Sequence, residues 1–262
     1  MTDYQHLQAL RHGAIMELRL SRPERLNAVI KPLYDELLDA LAQAEADDSV
    51  RVIMLTGEGR AFCVGADMKA HAGGERSAFD KRQYLAGEQQ VCKRLFTLEK
   101  PIVCVVQGYA IGAGAELAMA CDFLLMSKQA QLGLPEVSIG TFIGGGVSYL
   151  LPRLVGLARA RELIFSGKRI SAKRAVKLGL ANQRLDEEHF REQALTYSRQ
   201  LAEKAPISMA LAKRHLNLLG NQSFDSALTS ELEGMSFCAT SQDWQEGVDA
   251  FAEQRPPKFQ GH

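Results

Sequence analysis

The sequence predicts an α/β fold, and three observations carry that reading. Up to about residue 156, short apolar runs rich in β-branched residues alternate with helical stripes, as strand-then-helix units do. Glycine-rich bends at 57–67, 108–114 and 140–146 fall where such units turn. Beyond residue 156 only helices are expected, jointed at Pro206, Gly220-Asn221 and Ser241. The expected organisation is a core over residues 1–200 and a helical region over 201–262, positioned to pack on a neighbouring subunit.

Residues 14–20 open the regular structure, with Met16, Leu18 and Leu20 alternating with Glu17 and Arg19 as in a half-buried strand. A turn over 21–27 leads to Lys31-Pro32, which starts a helix whose Leu33, Leu37, Leu38, Leu41 and Ala44 share one stripe. The second strand, 50–55, feeds a loop containing Gly57, Gly59 and Gly65. Such a loop is either a nest of N–H groups able to cradle an anion or a plain surface turn. Residues 68–100 are polar with helical stripes, 122–127 is another buried strand, 131–136 is a bend, and 147–154 is apolar again. Ser171 caps a helix over 172–178 that Gly179 closes. Amphipathic helices are predicted over 187–204, 207–219, 224–239 and 243–254, and the tail from Pro256 is not helical.

The stretch PIVCVVQGYAIGAGAELAMACD, residues 101–122, organises the chain. Its apolar run 102–106 lacks alternation, which suits a strand covered on both faces. Gly112 and Gly114 carry no Cβ, so the backbone can turn tightly there and approach a neighbour. The following segment, 113–121, predicts a buried helix. Every residue from 111 to 119 except Glu116 is apolar or glycine. A carboxylate there is either a charge at the positive end of a helix dipole or a buried group with the raised pKa of a catalytic acid or base. Glu136 is a second carboxylate beside apolar neighbours, with a helix-start charge as the alternative.

Composition excludes several classes. Lys plus Arg and Asp plus Glu are both 31, so no global field favours nucleic acid or an anionic membrane. No apolar run approaches the ~20 residues of a spanning helix, and the first residues lack a secretion signal's apolar core, so a soluble, cytoplasmic protein is expected. Five scattered cysteines without CxxC argue for a reducing compartment. HExxH, GxxxxGK[ST] and GxSxG are absent, and the six histidines form no ligand spacing, so neither a metal site nor a serine hydrolase is expected. Gly112-Ala-Gly114 imitates the start of a dinucleotide fingerprint, but Leu117 stands at its third glycine. Cys63 is a packing residue or, alternatively, a nucleophile.

Four strings in register, LSRPERLNA at 20–28, AFCVGAD at 61–67, GYAIGAGAELA at 108–118 and GLPE at 133–136, resemble the successive signatures of the enoyl-CoA hydratase/isomerase (crotonase) superfamily. The ending, EGVDAF at 246–251 with Arg255 and Lys258-Phe259, resembles that family's last helix and tail. The resemblance implies a spiral of ββα turns with a helical C-terminal trimerisation region, trimers pairing into hexamers, and an acyl-CoA thioester substrate with no separate cofactor. It further implies that the backbone N–H groups of Ala66 and Ala113 grip the thioester oxygen, with Gly112 beside them, as an oxyanion hole. By the same resemblance Asp67, Met68 and Lys69 line the CoA arm, and the adenine and phosphates meet Arg25 and Lys258.

The glutamates then imply the reaction. Family hydratases carry carboxyls at the positions of both Glu116 and Glu136, whereas simple isomerases need the second. The implied activity is hydration of a trans-2-enoyl-CoA to a 3-hydroxyacyl-CoA, with ionised Glu116 deprotonating water and protonated Glu136 supplying the proton at C2. This chain has Ile143, Val147 and Tyr149-Leu150 where the hydratase pattern has proline, glycine and Gln-Arg. That loop contributes to the acyl pocket, so isomerisation or hydration of a branched or cyclic acyl-CoA stands as the alternative. Tyr149 is read as core rather than pocket.

Overall fold

The computed structural model describes residues 3–68, 77–218 and 222–262. Its main sheet runs in the order β1 (Leu7–His12), β2 (Ile15–Leu20), β3 (Val52–Gly57), β4 (Ile102–Val106), β6 (Phe123–Ser127) and β9 (Gln183–Leu185). Only the β1–β2 pair is antiparallel. A second sheet holds β5 (Tyr109–Ile111), β7 (Gln131–Gly133) and β8 (Ile170–Ser171). β3 and β4 are buried at every position, as their unbroken apolar runs require.

Three features depart from the sequence expectation. β1 is an additional strand, a half-exposed edge whose mixed residues give no clean alternation. β5 and β7 form inside segments read as bends, and β8 and β9 lie in the part expected to be helical. These strands have two or three residues each, too few to show a period, and only pairing with distant segments makes them strands.

The helices are α1 (Lys31–Ala46), α2 (Ala78–Thr97), α3 (Ala113–Met119), α4 (Val147–Val155), α5 (Leu157–Ser166), α6 (Ala172–Lys177), α7 (Phe190–Ala202), α8 (Pro206–Asn217), α9 (Phe224–Ala239) and α10 (Gln242–Ala252). Alternate residues of the central strands serve two cores. Ile53, Leu55, Ile102, Cys104 and Val106 join the cluster under α1, α2 and α3, while Val52, Met54, Val103 and Val105 join Ala194 of α7 on the other face. Ser77 and Asp80 form a capping box that starts α2, and Ser171 caps α6 as expected. Lys213 of α8 bonds Asp122 at 2.7 Å, and Arg51 donates to the Phe259 carbonyl at 3.0 Å, tying the last helices and tail to the sheet. Among the described residues, no helix is long and apolar enough to cross a membrane.

What positions the site is the passage of residues 61–66 alongside β5. Cys63 N–H donates to the Tyr109 carbonyl at 3.0 Å, and Ile111 N–H donates back to the Cys63 carbonyl at 3.0 Å. Buried Asn27 braces the loop from behind, donating to the Glu58 and Ala61 carbonyls, both at 2.9 Å. Gly114, in the first turn of α3, lies against the Cys63 carbonyl so closely that a β-carbon would overlap its oxygen. Gly114→Ala should therefore cost about 3 kcal/mol of stability. Gly87 in α2 has open space around it, so Gly87→Ala should stabilise by ~0.5–1 kcal/mol. Denaturant unfolding of the two variants checks both signs.

Candidate active site

Two backbone donors flank this crossing. A parallel bridge joins Val29 to Ala66, in which Val29 N–H reaches the Gly65 carbonyl at 2.8 Å and Asp67 N–H reaches the Val29 carbonyl at 3.1 Å. The neighbours of Ala66 thus make the bonds to Val29, and the Ala66 N–H points to the opposite side. On that side is α3. A β-carbon on Gly65 would stand 3.4 Å from Ala113 N. Ala113 is the first residue of α3, where an N–H has no partner in its own helix. Among the described residues neither Ala66 N–H nor Ala113 N–H meets an acceptor. Gly112, with φ 56°, makes the bend that turns Ala113 into this position.

Glu116 lies one turn into α3 and is 2% exposed. Its Oε1 accepts from Gly144 N–H at 2.6 Å, and its Oε2 is buried without a hydrogen-bond partner among the described residues. The dipole position and the burial expected of this residue are both present. Glu136 opens a 3-10 turn, Glu136–Ser138, and is 6% exposed, with Oε2 also buried and unpartnered. Its Oε1 comes within 3.1 Å of the position a Gly112 β-carbon would take, which puts this carboxyl beside the peptide that carries the Ala113 donor. Burial, reinforced by the nearby Glu116 charge, pushes the Glu136 carboxyl up to about 7 against a backbone hydrogen bond that lowers it.

A third carboxyl, Glu88, is a buried acid beside the site that was missed in the sequence. It is 8% exposed on the stripe of α2 formed with Tyr84, Val91, Cys92 and Leu95. The signal was there: within a helix that is polar overall, a glutamate occupies a position of the apolar face. Burial and then Glu88 push the Glu116 carboxyl up to about 9, with the Gly144 N–H opposing. Glu116 thus holds its proton more tightly than Glu136, the reverse of what their expected roles require. Two acids in contact do not both ionise, so this proton belongs to the Glu88–Glu116 pair rather than to Glu116 alone.

The remaining expected residues are distributed around the crossing. Asp67 is buried with its carboxylate 3.2 Å from the Arg22 guanidinium, Met68 is exposed, and Lys69 lies outside the described residues. Arg25 and Lys258 are both exposed. Cys63 is fully buried, and burial pushes its thiol up to about 12, which suits packing and not nucleophilic attack. Ile143 is buried beside the glycines that contact Glu116. Tyr149 is not core: it is half-buried, with the Arg153 guanidinium 3.4 Å from its ring centroid, and it lines a cleft of about 520 Å³ with Phe96, Met119 and Leu216.

The chain is similar to proteins of known sequence and structure. Crotonyl-CoA hydratase of Syntrophomonas wolfei is 31% identical over 257 residues, covering 98% of each chain. An Escherichia coli 1,2-epoxyphenylacetyl-CoA isomerase is 33% identical over 94% of this chain and 95% of its own. The crystal structure of a Bacillus anthracis enoyl-CoA hydratase superposes with a TM-score of 0.95 at 31% identity, over 98% of this chain and 100% of that one. Residues 11–262 match the family described as enoyl-CoA hydratase/isomerase, and with relatives of this identity and coverage the chain belongs to that family.

Proposed function

We propose that this protein is a hydro-lyase that adds water reversibly, in syn fashion, to a trans-2-enoyl-CoA thioester, giving a 3-hydroxyacyl-CoA. The observation that carries the reading is the presence of two buried carboxyls, each with an oxygen that has no partner among the described residues, beside two backbone N–H groups likewise unpaired there. The Ala66 and Ala113 donors take the thioester oxygen and stabilise the enolate that forms as C3 is attacked. Removing one such donor costs ~2.7–4 kcal/mol in other enzymes. Glu116 orients and deprotonates the water, and Glu136 delivers a proton to C2. The CoA arm passes Asp67, Met68 and Lys69 toward Arg25 and Lys258. No separate cofactor takes part, since a proton shuttle and an oxyanion site supply the whole reaction.

The exposed face of α9, with Phe224, Leu228, Leu232 and Met235, supports assembly of the 201–262 region into a trimer, or a hexamer of two trimers. Isomerisation is the second reading. It is favoured by Ile143, Val147 and Tyr149 in the segment after Glu136, and the relative named as an isomerase has similar identity.

Crotonyl-CoA and longer enoyl-CoA substrates should lose their enoyl-thioester absorbance with enzyme alone. Glu116→Gln and Glu136→Gln should each lower kcat by ~10²–10⁴. If only Glu136→Gln mattered, the isomerase reading would replace the hydratase, and binding without turnover would remove both. Hydration needs Glu136 protonated in the free enzyme, and its proton leaves at about 7. The expected kcat/KM therefore falls about tenfold per pH unit above that value, with a separate acid limb where Glu116 takes up a proton. Hydration takes up and releases no net proton, so dehydration of the hydroxyacyl thioester should show the same limb.

A further inference from the structure

A β-carbon on Gly144 would stand 3.1 Å from Glu116 Oε2, 3.2 Å from Glu88 Oε1 and 3.2 Å from Gln89 Nε2. The bare oxygen of Glu116 and the carboxyl of Glu88 therefore border one small volume. Among the described residues, the titratable groups that interact with the pair are Tyr34 on α1, Cys92 on α2, Cys63 on the 57–67 loop, and Glu136. Burial raises the Tyr34 and Cys92 groups far above their usual range, and Cys63 likewise, so these three are neutral where the enzyme works. Arg22, whose charge reaches Cys63, is engaged by Asp67 and the Ala28 carbonyl. Among the described residues no cation acts on Glu116.

Two facing buried acids, with no cation acting on Glu116 among the described residues, hold a proton between them. Gly144 N–H already occupies Oε1 of Glu116, which leaves Oε2 as the acceptor in need of a donor. We propose that Glu88 is a positioning residue: in the form of the enzyme that hydrates, the hydrogen bond carrying the pair's one proton runs from Glu88 to Glu116 Oε2, so that Glu116 accepts from two donors. Each carboxylate oxygen retains a second lone pair, and one of these receives the proton of the attacking water. The catalytic consequence rests on the hydratase reading. The shared proton itself does not.

The test compares Glu88→Gln, which keeps a donor of the same shape, with Glu88→Leu, which removes it. In kcat/KM profiles for crotonyl-CoA hydration, Glu88→Gln should stay within about threefold of the parent enzyme with its acid limb in place. Glu88→Leu should move the acid limb up by about one pH unit or more and lower kcat/KM at pH 6 about tenfold or more, with KM little changed. A packing role alone would lower the rate without moving the limb, and that result overturns the proposal. Carbon-13 titration of glutamate carboxyls gives the second reading, with the Glu116 signal assigned from Glu116→Gln. The alkaline step of the parent should move down by about one pH unit or more in Glu88→Gln. Its persistence there also overturns the proposal. If the parent turns over no enoyl thioester, the hydratase reading fails, and the carboxyl titration still decides whether the proton is shared.

Discussion

The contact between the 61–66 segment and the first turn of α3 is the constraint on which this molecule depends. It is made at backbone level, through the exchange of hydrogen bonds between Cys63 and the residues of β5, and through Gly114 lying on the Cys63 carbonyl. The flanking parallel strands β3 and β4 bring both segments out of the sheet at the same end. Because strand bonds to Val29 satisfy the neighbours of Ala66, its own N–H is left over. The start of a helix leaves Ala113 in the same condition. Two donors unpaired among the described residues thus result from ordinary secondary structure.

Around those donors the fold accepts an electrostatic cost. Glu88, Glu116 and Glu136 are all buried, and two of them carry an oxygen with no partner among the described residues. Isolated buried carboxylates are strongly disfavoured, so the site retains protons that exposed glutamates would lose at neutral pH. The same burial that strains the fold gives the carboxyls proton affinities suited to exchange with substrate. Elsewhere buried charge is balanced. Glu17, on the opposite side of the sheet from α1, bonds His12, Arg19 and Thr56, and its carboxyl is held below the usual value despite its burial.

Much of this was legible in the sequence. The strand 102–106 and the helix over 224–239 appear with the expected bounds, because unbroken β-branched runs and long amphipathic stripes are local signals. Glu116 stood out as the one charge in an apolar helix, and Glu136 as a carboxyl on a rigid bend. The short strands β5, β7, β8 and β9 were not legible, since a strand of two or three residues exists only through its partner. The proton order of the glutamates was hidden for a similar reason. It depends on Glu88, which lies 28 residues from Glu116 in the chain and reaches it only once α2 covers the site.

The central claim concerns where a thioester carbonyl rests, and a crystal structure with acetoacetyl-CoA bound tests it most directly. The account predicts the thioester oxygen within hydrogen-bond distance of both Ala66 N and Ala113 N, with Glu116 and Glu136 facing the acyl carbons C2 and C3. A thioester seated away from those two amides, or acyl carbons out of reach of both carboxyls, would contradict it.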